Sequence, residues 1–175
     1  MASPIKQIFY IKKLNNITIQ TTSSEDIELL RKWKNKNRNN FFYKKIISKK
    51  DQLSWFQKYI NTKDNYIFII KKHDKKIGCI GFRLIENYID IYNVILDNKK
   101  FEHKGLMSLA LQLMCSFIMD KYENEITLKV LSNNPTVNWY KKNCFKEIYS
   151  KDDYIFMMLD KNNFKKINYE LKYFF

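Results

Sequence analysis

Residues 99–121, with the sequence KKFEHKGLMSLALQLMCSFIMDK, join a polar, basic stretch directly to a long apolar segment. From residue 106 onward, apolar side chains recur at positions 106, 109, 110, 113 and 117, the spacing that places them on one face of a helix. A second apolar stripe occupies positions 107, 111, 114 and 118. The two stripes predict a core helix that is buried on two sides.

The turn ahead of this helix has the features of an anion-binding site. Gly105 stands at the junction, and Lys100 and Lys104 add positive charge. The first turn of a helix presents free backbone N–H groups, and the helix dipole adds positive potential there. The stretch is a candidate binding site for a pyrophosphate. The alternative interpretation is an ordinary connection from strand to loop to helix in a lysine-rich protein.

The composition limits the class of protein. The chain has 175 residues, 45% of them hydrophobic, and we expect one packed domain over residues 1–160 with a basic, aromatic tail at 161–175. The tail could pack on the domain, contribute to a homodimer or begin a linker. No run of about 18 apolar residues predicts a membrane span. The three cysteines form neither a metal motif nor a disulfide set, which favours a reduced, cytoplasmic protein without a metal.

The net charge of +14 is typical of nucleic-acid-binding proteins. The lysines are spread along the chain, however, and the abundance of Lys, Asn and Ile is what an AT-rich genome imposes. No recognised nucleic-acid motif is present. We therefore expect no nucleic-acid partner and interpret the charge as favouring an anionic substrate or cofactor through long-range attraction. A basic nucleic-acid-binding module is kept as the alternative of another class.

Apolar periodicity and turn residues predict the element order β, α, α, β, β, β, α, β, α, β, β. The first segment, 5–20, is a strand pair or one irregular strand. The clearest strands, at 65–72, 76–85 and 88–96, form an antiparallel meander with short turns.

Three segments carry a resemblance to a known family. They are KIGCIGF (76–82) with the strand YIDIYNVIL (88–96), EHKGLM (102–107), and NNPTVNWYKKNCFKE (133–147). They resemble, in order, the central strands, the Q/R-x-x-G-x-G/A pyrophosphate loop and the N-x-x-A-x-x-x-Y-x-K-x-G-F signature of the GCN5-related N-acetyltransferase (GNAT) family. The resemblance implies an α/β (α+β) fold: a mixed, mostly antiparallel sheet of about seven strands flanked by about four helices.

The chain departs from the family pattern at three positions. Glu102 replaces Gln or Arg, Met107 replaces the second Gly or Ala, and Cys144 replaces Gly. The backbone N–H groups of the loop, which are the main phosphate donors, are unaffected by these changes.

The resemblance also implies an acetyl-CoA-dependent N-acetyltransferase with acetyl-CoA as co-substrate, held where strands 88–96 and 125–131 separate. Its implied binding residues are Val94, Ile95, Leu96, Glu102, His103, Lys104, Gly105, Leu106, Met107, Asn133 and Thr136. Tyr140 would protonate the departing thiolate, although it could simply be a core aromatic residue. Asp90 is the first candidate for a general base. The alternative is that Asp90 is simply a solvent-facing residue of its strand, without a catalytic role.

The opening segments IELLRKWKNKNRNNFF (27–42) and SKKDQLSWFQKYI (48–60) resemble a narrower group. They are similar to the sugar-nucleotide amine acetyltransferases of the pseudaminic-acid type, which carry W-R-N in this helix and often a His near position 52. That likeness implies a UDP- or dTDP-linked 4-amino-4,6-dideoxyhexose as acceptor. The implied acceptor residues are Trp33, Lys34, Asn35, Arg38, Phe41 and Phe42. A protein N-terminal or lysine acetyltransferase is the alternative enzyme.

Overall fold

The computed structural model describes residues 8–13, 17–97 and 99–174, and its strands form one nine-stranded sheet. The strands are β1 (Ile8–Lys13), β2 (Ile17–Thr21), β3 (Asn65–Lys72), β4 (Lys75–Ile85), β5 (Tyr88–Leu96), β6 (Glu125–Leu131), β7 (Phe145–Lys151), β8 (Tyr154–Leu159) and β9 (Glu170–Phe174). The helices are α1 (Ile27–Lys36), α2 (Lys49–Tyr59), α3 (Leu106–Lys121) and α4 (Val137–Lys142).

The spatial order of the strands is β7-β8-β6-β5-β4-β3-β2-β1-β9. All neighbouring pairs are antiparallel except β5 and β6, which run parallel. The predicted mixed, mostly antiparallel sheet with four helices is confirmed. The sheet is wider than the seven strands expected, because the N-terminal segment forms two strands and the tail adds β9.

Helix α3 forms the centre of the core, as its two apolar stripes predict. Leu113 and Phe117 of the first stripe, and Leu111, Met114 and Ile118 of the second, are all buried. They pack with α4 on one face of the sheet. Helices α1 and α2 cover the opposite face. Successive residues of β3 alternate between the two layers, the period-two pattern of a strand buried on both faces.

A capping box fixes the start of α2. The side chain of Ser48 accepts a hydrogen bond from the backbone N–H of Asp51 at 3.1 Å, and the carboxylate of Asp51 accepts one from the backbone N–H of Ser48. These bonds satisfy donors that the first helical turn leaves without partners. The connection between α1 and α2 therefore ends at a defined point.

The described part of the tail packs on the domain. The backbone N–H of Ile167 donates to the hydroxyl of Ser116, and the hydroxyl of Tyr169 donates to Asp120, so the segment lies along α3. Strand β9 then pairs with β1. Among the described residues, none of the helices has the length and apolar character needed to cross a bilayer.

Candidate active site

A cleft opens where the two parallel strands separate. β5 and β6 are paired from Tyr88 and Glu125 to Ile91 and Leu128, and there the ladder ends. β5 continues to Leu96 along β4 alone. The backbone groups on the open side of β5 are therefore free to bind a ligand. A cavity of about 620 Å³ lies at this point, and Val94, Ile95 and Leu96 are among its lining residues.

A β-bulge shapes β5 at the cleft. The register between β4 and β5 shifts after Cys79, and Asn93 has a φ of 51°. The thiol of Cys79 donates to the carbonyl oxygen of Asn93 at 3.2 Å. A Cβ on Gly78 would lie 2.1 Å from the carbonyl oxygen of Ile95, so only glycine allows β4 to approach β5 this closely. Bulges of this kind redirect the strand and commonly lie beside active sites.

The loop before α3 has the geometry of an anion cradle. His103 and Gly105 both have a positive φ, of 57° and 69°, and Gly105 is the residue from which α3 begins. Glu102, His103, Lys104 and Gly105 are exposed, and Glu102 lines the cavity. A Cβ on Gly105 would meet no atom within 4 Å, so the left-handed backbone, not crowding, favours glycine here.

The first turn of α3 follows this loop, and Leu106 and Met107 belong to it. Its first three N–H groups have no acceptor within the helix, as at any helix start. They point out of the N-terminal end of α3, where the helix dipole is positive. The loop and the helix start together can bind a diphosphate.

Tyr140 of α4 reaches the cavity from the core. Its side chain is 8% exposed and contacts the rings of Trp139 and Phe145. It lines the cavity, and the described residues supply no hydrogen-bond partner for its hydroxyl. Burial raises the pKa of this phenol, so the proton is retained at neutral pH. Tyr140 is thus a buried aromatic residue that borders the cleft and carries a protonated phenol.

The start of α4 is held by Asn134. Its side-chain oxygen accepts hydrogen bonds from the backbone N–H and the hydroxyl of Thr136, at 2.9 and 2.7 Å. Its amide donates to the carbonyl of Asn40 at 3.3 Å, which links α4 to the α1–α2 connection. Both Asn134 and Thr136 line the cavity.

Asn133, which the signature implies, lies at the surface of the structure. It is exposed and lies outside the residues that line the cavity. Its neighbour Asn134 lines the cavity and accepts the hydrogen bond from the backbone N–H of Thr136. Asn133 is left in the turn that follows β6, with its side chain at the surface.

Asp90 lies opposite Arg83 across β4 and β5. Nε of Arg83 donates a hydrogen bond to Oδ2 of Asp90 at 2.9 Å, and Nη2 forms an ion pair with the same oxygen at 2.9 Å. The described residues make no hydrogen bond to Oδ1. Asp90 is 7% exposed and lines the cavity. Burial raises the pKa of this carboxyl and Arg83 opposes the shift, so Asp90 is more basic than an ordinary aspartate.

Lys34, Phe41 and Phe42 also line the cavity. The ammonium of Lys34 donates to Oδ1 of Asn93 at 2.7 Å and lies 3.3 Å from the centre of the Phe41 ring. Burial lowers the pKa of Lys34 to about 8. Phe42, which is 53% exposed, lines the cavity beside Tyr154, with the ring centres 6.0 Å apart.

Three other residues implied by the resemblance lie elsewhere. Trp33 is 3% exposed in the core between α1, α2 and the sheet. The amide of Asn35 pairs with the backbone of Ile47, and Arg38 donates to the carbonyl of Asn35. None of the three lines the cavity. Successive helical residues point about 100° apart, so Lys34 faces the cleft and its neighbours stabilise the core and the connection.

The sequence did not identify Arg83 or Lys129 as site residues, although both line the cavity. With Lys34 they give three cations, against two acidic residues, Asp90 and Glu102. A lysine and an arginine in strands give no signal by themselves, since only the strand register reveals the face that they share. Among the described residues, no group of three or more His, Cys, Asp or Glu side chains could hold a metal.

Comparison with known proteins places the chain in a family. The sequence model of the family described as "Acetyltransferase (GNAT) domain" matches residues 16–146, more than half of the chain. No curated protein sequence matches the chain.

Solved structures share the fold at low sequence identity. FdhC, a nucleotide-linked sugar GNAT, is 20% identical with a TM-score of 0.69, over 91% of each chain. The N-acetyltransferase PseH of Campylobacter jejuni is 19% identical with a TM-score of 0.63, over 83% of this chain and 99% of that one. RimL, a ribosomal L7/L12 alpha-N-protein acetyltransferase in complex with coenzyme A, is 15% identical with a TM-score of 0.69, over 85% of this chain and 96% of that one. Likeness at these identities establishes the fold.

Proposed function

The chain belongs to the GCN5-related N-acetyltransferase family, and we propose that it transfers the acetyl group of acetyl-CoA to the amine of a nucleotide-linked amino sugar, a UDP- or dTDP-4-amino-4,6-dideoxyhexose. The observation that carries the acceptor assignment is the lining of the cleft. Three cations, Lys34, Arg83 and Lys129, meet exposed aromatic rings at its rim.

The cleft suits acetyl-CoA, which supplies an activated acetyl thioester when bound. The free backbone edge of β5 at Val94, Ile95 and Leu96 would hold its amide-rich arm, and the N–H groups from His103 to Met107 would hold its diphosphate. The N–H of Val94, beside the bulge, would donate to the thioester carbonyl. These donors belong to the backbone, so the substitutions at Glu102 and Met107 leave them in place.

Asp90 is the proposed base. The acceptor amine must lose a proton in order to attack, and Oδ1 of Asp90 is the oxygen that Arg83 does not occupy. It can take the proton directly or through one water molecule. The raised pKa of this carboxyl makes it a better proton acceptor than an ordinary aspartate.

Tyr140 is the proposed acid. The phenol lines the same cavity and keeps its proton at neutral pH. Removal from water raises the pKa of a thiol as well, so a thiolate leaving within the cleft is more basic there than in solution. Burial thus keeps the phenol protonated until the thiolate forms, and the thiolate sulfur would take the phenolic proton as the carbon–sulfur bond breaks.

The acceptor is inferred from charge and ring surface. A nucleotide sugar combines a flat base with a diphosphate. Phe42 and Tyr43, 53% and 55% exposed, offer ring surface, and the cations of the cleft offer positive potential. The likeness to FdhC and PseH agrees with this acceptor. A peptide N-terminus would more naturally require carboxylates for its ammonium, and Asp90, one of the two acidic residues of the lining, is already paired with Arg83.

A thiol-release assay across a panel of amines tests the proposal. We expect turnover with a UDP- or dTDP-linked 4-amino-4,6-dideoxyhexose and inhibition by the free nucleotide. Phe42→Ala should weaken that inhibition, whereas Leu53→Ala, on the exposed face of α2, should not. Acetylation of peptide N-termini with every nucleotide-linked amino sugar left unmodified would overturn the acceptor assignment and leave the family assignment intact.

A further inference from the structure

A second cavity of about 340 Å³ lies between α1, α2 and the bulge of β5. It adjoins the cleft, and the two share the wall residues Lys34, Tyr43, Tyr92, Asn93 and Ile95. A molecule in the second cavity would therefore reach the cleft at the bulge, next to Val94. This is the point at which the acceptor amine must meet the thioester.

Gln52 of α2 presents an amide to this cavity without a partner. Its side chain is 6% exposed and lines the cavity. Its backbone N–H donates to Ser48 as in any helix, but the residues that the structure describes give its carboxamide no hydrogen bond. Among the described residues, only Thr22 Oγ1 is a fully buried polar side-chain atom without a hydrogen-bond partner, so the amide of Gln52 is open to the cavity. Water can satisfy such an amide when the cavity is empty, and a polar ligand group can replace that water. A ligand group in the cavity would supply that partner.

The other walls are mainly apolar and aromatic. Leu30, Ile47 and Ile67 provide aliphatic surface. Trp55 provides an indole ring, which is held in place by stacking on Tyr59 with the ring centres 5.0 Å apart and an angle of 21°. The polar lining includes the carboxamides of Gln52 and Asn93 and the carboxylate of Asp51. A flat ring, aliphatic walls and a few polar groups match a pyranose, whose ring C–H groups are apolar and whose hydroxyls need hydrogen bonds. A 6-deoxy sugar adds a methyl group that suits the aliphatic walls.

We propose that this second cavity holds the hexose ring of the acceptor and that the Gln52 carboxamide hydrogen-bonds a ring hydroxyl. The inference rests on the proposed function, which it makes more specific. The amine of the sugar then lies at the bulge, and the nucleotide extends towards Tyr43 and Phe42, which border the cavities. Lys34 stands at the junction and disfavours a polycationic acceptor such as a polyamine. Gln52 is thus a specificity-determining residue for the sugar.

The test is the variant Gln52→Leu, which keeps the approximate shape of the side chain and removes its amide. Loss of one hydrogen bond should raise the KM for the nucleotide-linked amino sugar about tenfold, with the KM for acetyl-CoA unchanged. The melting temperature of the free enzyme should stay the same or rise, because the replaced amide has no partner in the fold. Gln57→Leu, on the exposed side of α2, is the matched control and should change neither KM.

A second substrate separates the sugar from the nucleotide. The methyl glycoside of the 4-amino-4,6-dideoxyhexose lacks the nucleotide, and its kcat/KM should fall by the same factor in Gln52→Leu. If the wild-type enzyme acetylates nucleotide-linked amino sugars and Gln52→Leu keeps the same acceptor KM, the cavity assignment is wrong and the proposed function stands. If equal KM changes appear in Gln52→Leu and Gln57→Leu, the cavity assignment is also wrong. If the wild-type enzyme acetylates none of these sugars, both proposals fail.

Discussion

The ammonium group of Lys34 donates a 2.7 Å hydrogen bond to Oδ1 of Asn93 and so joins α1 to the bulge of β5. Asn93 directly precedes Val94, whose N–H faces the cleft in our proposal. The same lysine lines both cavities. A contact between residues 59 positions apart thus connects the proposed acceptor side of the site to the strand that is proposed to bind acetyl-CoA.

The charge on Lys34 should make stability depend on pH. Burial lowers its pKa from 10.5 to about 8. Between these values the unfolded chain binds more protons than the folded one, so the contribution of Lys34 to stability rises with pH. Below pH 8 the lysine is charged in both states, and its burial is unfavourable by a constant amount.

Lys34→Met removes this effect. We expect the melting temperature of the wild-type protein, measured relative to Lys34→Met, to rise between about pH 8 and pH 10.5 and to stay level below pH 8. Differential scanning fluorimetry of both proteins over pH 6–11 measures it. Lys32→Met, at an exposed position of α1, is the control. A difference that does not vary with pH would show that Lys34 is not desolvated.

Tyr140→Phe should lower kcat by about 100-fold or more with little change in the KM for acetyl-CoA, because the phenolic proton is needed only as the thiolate leaves. The hydroxyl has no partner among the described residues, so the variant should keep its melting temperature. Steady-state kinetics and a thermal melt give both quantities. A variant with full kcat would show that Tyr140 serves only in packing.

Gly105→Asp should abolish most of the rise in melting temperature that saturating acetyl-CoA produces, because its carboxylate would repel the diphosphate. Gly105→Asn is the matched control. Asparagine has nearly the same shape and tolerates the left-handed backbone at φ 69°, so it should retain more of the shift. An unchanged shift in the Asp variant would mean that the diphosphate binds elsewhere.

Asp90→Asn should lower kcat and remove the acidic limb of the pH–rate profile. Burial raises the pKa of this carboxyl, so the wild-type rate should fall as pH drops through a value above the usual range for aspartate. The variant should lack that limb because an amide does not titrate there. Glu86→Gln, in the turn between β4 and β5, should preserve the profile. An acidic limb retained in Asp90→Asn would assign it to another group.

Local pattern was enough to predict much of the architecture. The two stripes of α3, the meander of β3 to β5 and the Gly105 turn each depend on residues close together in sequence, where helix and strand periods are fixed by backbone geometry. Tyr140 was identified because its signature spans a single short helix and the turn after it. At Cys144, a φ of 68° shows that the turn keeps the left-handed conformation suited to the family's glycine.

The sequence by itself therefore determined the helices, the strands and the loop, because those follow from periodicity and from the chemistry of single turns. Only the tertiary structure decided which side chains meet. The pairing of Arg83 with Asp90 depends on strand register. The rotation of α1 against the sheet decides that Lys34 lines the cavity and Trp33 lies in the core. The packing of α2 beside α1 decides that the amide of Gln52 faces a cavity. Contacts between distant segments depend on packing of the whole core, and no local pattern contains that information.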